Sequence, residues 1–241
     1  MKTVAICISV KDNFWATRYV IENAMSKVNK EGIKADLFIF SNGNNDQRIS
    51  DYFTNSDSVL YYFANEDTCK MTTSYNDLFK AVQEKGHEYI CILPSDTLVN
   101  ESWLDDLIYF SDSITDSGIV GIRKGGENVH LSPLLNHDHL INVWVAEGNF
   151  VSGVCLFKTE LLELVGGFDD SLKAGGFESD QFCFRVSSSG KRNFYIPKQD
   201  SVKTYEINEL YNPKRTKENY SIFASNIQEM FLSKNFKKSL T

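Results

Sequence analysis

The sequence has no apolar stretch approaching the roughly 20 residues that a membrane-spanning helix needs. It shows no internal repeat and no low-complexity linker. Its cysteines form no pattern: Cys7, Cys69, Cys91, Cys155 and Cys183 are odd in number and far apart, which argues against a disulfide framework or a zinc site. Four of them sit in apolar runs, where cysteine behaves as a small buried hydrophobe, and unpaired thiols fit a reducing, cytoplasmic compartment. A basic excess is also missing. The formal net charge is −7 and the pI about 5.2, so the broad footprint of a nucleic-acid binder is absent. The opening MKTVAICISV has one early Lys and a short apolar run but no small-residue cleavage site, and a buried first strand accounts for it. No glycine-rich, basic loop follows that strand; SVKDNFWATR stands there instead, which ranks a sugar nucleotidyltransferase last among the enzyme classes considered.

What is present is 241 residues with 42% hydrophobic content, enough for one sizeable core and short of two full domains. The run Val4 to Val10 suits a strand covered on both faces. Phe14, Ile21, Ala24, Met25 and Val28 follow at the spacing of a helix stripe. Further strands are expected at 35–40, 58–63, 88–93, 118–122, 149–157 and 193–196. Further helices are expected around Tyr75 to Val82 with Gly86 as the stop, around Trp103 to Ile108, over 159–165 ending at Gly166 and Gly167, over 177–186, and near Tyr220 to Phe231. This alternation predicts an α/β fold with a mostly parallel central sheet flanked by helices. In such sheets ligands sit outside the carboxyl ends of the strands. The stretch 124–147 reads as a long loop, of the kind that is often functional in a compact domain.

Two acidic positions stand at such ends. Asp96 directly follows the strand in YICILPSDTLVNESWL. A cation bridging two phosphates needs only one or two protein carboxylates, and Asp96 can supply one; a helix cap or turn formed by Ser95 or Asp96 is the plainer reading. Glu178 and Asp180 follow Gly175 and Gly176 near a helix start, in AGGFESDQFCFRV. A general base has to be an ionised acid within about 3 Å of the hydroxyl it deprotonates. Acidic first-turn residues in an ion pair with Arg185 are the alternative. His130, His137 and His139 read as a polar surface loop rather than a metal cluster. Tyr109, Trp144 and Phe150 read as core or as a sugar-stacking stripe. From Leu210 to Thr241 the tail carries a net charge of +4, leaving −11 on the rest. It reads as a solvated helix face and frayed end, or as a peripheral contact with an anionic membrane or acceptor.

Together these segments resemble family 2-type glycosyltransferases of the GT-A (Rossmann-like) fold, especially the rhamnosyltransferase-like group. The carriers are Leu93-Pro94-Ser95-Asp96-Thr97-Leu98-Val99-Asn100-Glu101-Ser102-Trp103-Leu104, the segment Asn65 to Asn76, VSGVCLFKTELLELVGGFDD, and Glu178-Ser179-Asp180-Gln181-Phe182-Cys183-Phe184-Arg185. The resemblance covers about residues 3 to 200 and lies in the order and spacing of motifs that are each loose alone. It implies a transferase domain over 1–205, with a donor-binding half about 1–122 and an acceptor half about 123–205, and a C-terminal helical extension over 206–241. The implied donor is a nucleoside-diphosphate sugar (a UDP- or dTDP-sugar), with Ser9, Lys11, Asn42 and Asp46 at base and ribose, Asn76 and Ser95 in the donor site, and Asp96 on a divalent cation (Mg or Mn). The implied base is Glu178 or Asp180, acting on an acceptor hydroxyl of a glycan, a lipid-linked sugar or a protein, with inversion at the anomeric carbon.

The chain departs from the pattern in three places. The usual Asp-x-Asp is reduced to Pro94-Ser95-Asp96. Ser179 stands where the second acid is usual, which leaves the base between Glu178 and Asp180. No His follows Ile196-Pro197, and Lys203 falls about where the family's metal-binding His would. Weak metal affinity, or a lysine partly replacing the metal's charge, would follow. A catalytically inactive domain that binds nucleotide or glycan is the second reading.

Overall fold

A computed structural model describes residues 1–10, 14–43, 47–57, 59–65, 70–122, 146–147, 151, 153–172, 177–196 and 202–204. The elements are β1 (Lys2–Val10), α1 (Phe14–Ser26), β2 (Ile33–Asn42), α2 (Gln47–Thr54), β3 (Val59–Asn65), α3 (Met71–Lys85), β4 (Tyr89–Ile92), β5 (Thr97–Val99), α4 (Trp103–Ser113), β6 (Ser117–Ile122), β7 (Ala146–Glu147), β8 (Cys155–Lys158), α5 (Leu161–Val165), α6 (Glu178–Ser188), β9 (Arg192–Ile196) and β10 (Val202–Thr204). Of the expected loop over 124–147 only Ala146–Glu147 are described, and they form strand β7 rather than loop; the expected closing helix near 220–231 lies outside the described residues.

Eight strands form one sheet in the order β3-β2-β1-β4-β8-β6-β9-β7. Following the pairings across it, β1, β2, β3, β4, β6 and β9 run one way and only β8 and β7 run the other. The sheet is therefore mostly parallel, as the strand–helix alternation requires. A two-stranded ladder of β10 and β5 stands apart from it.

Successive residues of each strand feed opposite faces. Val4, Ile6, Ile8 and Val10 of β1 join Leu37 and Ile39 of β2 and Cys91 of β4 in a core under α1, α2 and α4, which contribute Val20, Ile49, Trp103 and Leu107. Ala5 and Cys7 join Phe38, Phe40, Ile90 and Phe157 on the other face, under Leu78 and Phe79 of α3, Leu161 of α5 and Phe182 of α6. Burial on both faces explains why β1 reads as an unbroken apolar run. The four described cysteines are free and buried, as their apolar surroundings imply.

The expected stop at Gly86 is present: it caps α3 in the left-handed region at φ 73°, and its N–H bonds Val82 O at 3.0 Å. Four elements carry no sequence expectation: α2, β5, β7 and β10. The strand expected over 149–157 is shorter and later. Gly153 at φ 81° breaks the extended run, so pairing begins only at Cys155. Among the described residues no helix is long and apolar enough to cross a membrane.

Candidate active site at the carboxyl edge of the sheet

Asp96 lies four residues past the end of β4. Thr97 N–H closes a turn onto Pro94 O at 3.2 Å, and the chain then enters β5. Among the described residues the carboxylate of Asp96 accepts one hydrogen bond, from the Thr97 hydroxyl at 3.1 Å. The Ser95 side chain is partly exposed beside it. β10 runs antiparallel to β5 with Thr204 opposite Thr97 and Lys203 opposite Leu98. The backbone after β9 thus returns to the strand end that carries Asp96, which is where the resemblance puts residue 203.

On the neighbouring strands, Asn42 ends β2 and is buried. The Ser9 hydroxyl lies 3.0 Å from that of Ser74 on α3. One helix step from Ser74, the buried Tyr75 links this edge. Burial foremost, with the nearby Cys7 thiol, pushes its hydroxyl far up, the Ser9 backbone hydrogen-bonds it in opposition, and the charge of Asp96 adds to the rise. Lys11 and Asp46, the other residues assigned to base and ribose, lie outside the described residues.

Helix α6 is placed by its far end. At the start of β6, Gly118 lies so close to Val186 that an added Cβ would come within 2.5 Å of its Cγ1. At the start of β9, Asn193 donates to Cys183 O at 2.9 Å and to Ser187 Oγ at 3.1 Å. The carboxyl end of α6 therefore rests on the amino ends of β6 and β9, and its amino end, with Glu178 and Asp180, points to the same sheet edge as Asp96. Cys183 ties this end down: its Sγ accepts the Val151 N–H at 3.2 Å and donates to Val151 O at 3.5 Å. Val151 leads into β8, whose Cys155 pairs with Ile92 at the end of β4.

The two acids of α6 differ. Glu178 is 3% exposed and has interaction partners. Asp180 is partly exposed and makes no hydrogen bond or ion pair with another described residue. Burial first, then the neighbouring Glu178 charge, raises the Asp180 carboxyl above its ordinary value. Phe177, just before them, sits at φ 67°, a strained conformation for a bulky side chain. Backbone strain of this kind clusters at functional sites.

The Arg185 alternative is not realised. Its guanidinium donates to Val165 O and Gly167 O, and its Nε to Gln181 Oε1 at 3.1 Å, instead of pairing with Glu178 or Asp180. Asn76 likewise engages a loop: it bonds the backbone of Phe168 and the Asp170 carboxylate. Tyr109 is 40% exposed and stacks edge-on against Phe110 at 5.6 Å. Gly175, Gly176, the three loop histidines, Trp144 and Phe150 fall outside the described residues. The bridging position of Tyr75 and the anchoring of Cys183 escape a sequence reading, which sees both as apolar-face positions.

Among the described residues no three His, Cys, Asp or Glu side chains gather as a metal cage. Asp96 nevertheless fits a divalent cation that shares its coordination with phosphates and water, because that arrangement asks for only one or two protein carboxylates and Asp96 has oxygen lone pairs left over from its single bond.

No protein-family model matches the sequence, and no curated protein does. Solved structures do. The chain is similar to GalNAc-T7, solved with UDP, GalNAc and Mn2+, with a TM-score of 0.75 and 13% identity over 93% of this chain and 48% of that one. It is similar to the catalytic domain of Drosophila β1,4-galactosyltransferase 7, solved with xylobiose, at TM-score 0.57 and 16% identity over 86% of this chain and 71% of that one. A third similar structure is residues 1–349 of S. aureus TarS, at TM-score 0.63 and 16% identity over 94% of this chain and 65% of that one. The chain spans about half the length of GalNAc-T7. Its fold is the GT-A fold of glycosyltransferases. The narrower likeness to rhamnosyltransferases rests on the sequence motifs alone.

Proposed function

We propose that the protein is an inverting glycosyltransferase that moves a sugar from a nucleoside-diphosphate sugar to an acceptor hydroxyl. The observation that carries this reading is the presence, on one edge of a GT-A sheet, of an open carboxylate at the end of β4 and, at the amino end of α6, a raised carboxylate that no described residue bonds. Ser9, Asn42, Ser95 and Asp96 bind the donor, joined by Lys11 and Asp46. Asp96 would hold a divalent cation, which when bound would supply Lewis-acid charge toward a diphosphate leaving group.

Of the two acids, Asp180 is the base. No described residue bonds it, which leaves its oxygens for an acceptor hydroxyl, and a raised carboxyl holds a proton better once it has taken one. Asp180 takes the hydroxyl proton as the acceptor oxygen attacks the anomeric carbon from the side opposite the diphosphate. The new carbon–oxygen bond forms, the bond to the diphosphate breaks, and the configuration inverts. Glu178, buried and engaged, keeps the negative field that raises Asp180.

The test is a panel of UDP- and dTDP-sugars with manganese, following nucleoside diphosphate release with and without acceptor, on the native chain and on Asp180→Asn and Glu178→Gln. Asp180→Asn is expected to lower transfer by about 10²- to 10⁴-fold, the span of general-base catalysis, with nucleoside diphosphate binding within about threefold of native. Equal activity in native and both variants removes α6 from the chemistry. Tight nucleotide binding without turnover on any donor marks a binding module instead.

A further inference from the structure

The family resemblance groups Asn76 with the donor contacts. Its geometry in this chain points elsewhere. The Asn76 Oδ1 accepts the Phe168 N–H at 2.7 Å, and its Nδ2 donates to Phe168 O at 2.9 Å and to Asp170 Oδ2 at 3.3 Å. The amide grips both backbone polar groups of one residue, as a neighbouring strand would. The fit leaves no room: a Cβ on Gly167 would lie 2.3 Å from Asn76 Oδ1 and 3.0 Å from its Cγ. Gly167 is therefore glycine for close approach.

The same short loop is held from the other side by α6. Arg185 donates to the carbonyls of Val165 and Gly167. Gln181, next in sequence to Asp180, donates to Asp169 Oδ2 at 3.2 Å and accepts from Arg185 Nε at 3.1 Å. Between the two grips the Phe168 ring packs against Phe79 of α3 at 5.5 Å and Phe182 of α6 at 5.1 Å. Lys70 and Thr73 add two more contacts from the α3 side to Asp170.

On the transferase reading above, we propose that Asn76 is a positioning residue rather than a donor contact: with Arg185 it clasps residues 167–170 between α3 and α6 and so sets the acid helix against the donor-binding half. The clasp places Asp180 without neutralising it. The Arg185 guanidinium, the cation of α6, is tied to carbonyl oxygens, which carry no net charge, and among the described residues the carboxylate acting on it electrostatically is Asp169. A lysine or arginine paired directly with Asp180 would instead pull its carboxyl down and weaken it as a base.

The experiment uses the full chain with Asn76→Ala and, probing the same contact from the loop, Gly167→Ala. Three quantities are read: the dissociation constant of UDP (and of dTDP) by calorimetry, kcat and donor KM for transfer, and amide hydrogen exchange over 168–170 and 178–182. A displacement of about 1 Å in a catalytic group costs on the order of 100-fold in rate. The expected result is therefore a kcat lower by about tenfold to a hundredfold in both variants, nucleotide affinity within about twofold of native, and faster exchange in both segments at once. A nucleotide affinity weakened tenfold or more in Asn76→Ala, with kcat at saturating donor preserved, returns Asn76 to the donor site and overturns the proposal. So does faster exchange confined to α3. If one variant does not fold, the other carries the same expectations. If the native chain binds nucleotide but transfers nothing, the transferase reading fails while hydrogen exchange still decides the clasp.

Discussion

The two edges of the central sheet treat their carboxylates in opposite ways. At the amino edge, Asp112 accepts the Tyr89 hydroxyl at 2.6 Å and faces Lys2 at 3.0 Å and Lys158 at 3.5 Å. Asp116 takes two bonds from Arg192, at 2.7 and 2.8 Å. Asp36 meets the buried His87 at 2.8 Å, and Glu88 accepts the Thr3 N–H at 3.1 Å. At the carboxyl edge, Asp96 has one neighbouring hydroxyl, and Asp180 has no bonded partner among the described residues. Folded proteins satisfy their polar groups almost everywhere, and on the function proposed above these half-buried, open carboxylates are the ones that meet the donor and the acceptor. The amino edge holds the sheet together; the carboxyl edge holds its charges ready.

Swapping charge for no charge on each edge separates these roles. On nucleotide binding, the largest effect is expected at Asp96. Asp96→Ala should weaken manganese-dependent UDP binding by about tenfold to a hundredfold, in line with losses seen when a metal site loses a supporting group, and should leave the melting temperature nearly unchanged because only the Thr97 hydroxyl is lost. Calorimetry with manganese and with chelator checks it. An equal loss in chelator detaches Asp96 from any cation.

The next effect is one of pH. Asp180 has a carboxyl raised by burial and by Glu178. As a base it works ionised, so transfer should rise with pH through a limb lying above the usual carboxylate value of about 3.9. Glu178→Gln removes the second cause and should move that limb to lower pH. Stability follows the opposite sign. A group whose folded pKa is raised stabilises the fold below its unfolded pKa, and that stability is lost as pH rises through the folded pKa. Asp180→Asn should therefore melt higher than native at pH 7 and lose that advantage toward pH 4. A variant that melts lower at pH 7 would assign Asp180 to the structural edge.

How much of this was legible in the sequence depends on whether the cause is local. The β1 run, the α3 stripe with its Gly86 stop, and Asp96 after β4 could all be read directly, because burial on both faces and a left-handed cap impose residue types in place. The α2 stretch QRISDYFT buries only Ile49 and Phe53, too few to stand out from its polar neighbours. β5 and β10 are three residues each and pair across about a hundred positions, which no local pattern records. Arg185 was open to misreading for a physical reason: spacing points a guanidinium at acids, whereas its partners are backbone carbonyls, which every residue has. Glu178 and Asp180 look equivalent in sequence and part only when one is sealed among neighbours and the other is left open.

The smallest effect belongs to the amino edge. The Asp116 and Arg192 side chains are 45% and 33% exposed, so water screens their attraction despite good two-bond geometry. Exposed pairs of this kind contribute at most about 1 kcal/mol, or roughly 2–4 °C in the melting temperature of a chain this size. The Arg192 hydrogen bond holds the Asp116 carboxyl below its ordinary value. The stability this adds is present above the unfolded carboxylate pKa and disappears as pH falls through the lower folded one. Asp116→Asn should thus melt slightly below native at pH 7 and match it once the native Asp116 carboxyl is protonated, with transfer and UDP affinity unchanged at every pH. Thermal melts from pH 2 to 8 alongside the transfer assay check both parts. A loss of activity there would mean that the two edges are coupled through β6 and β9, and the division of labour between them would have to be redrawn.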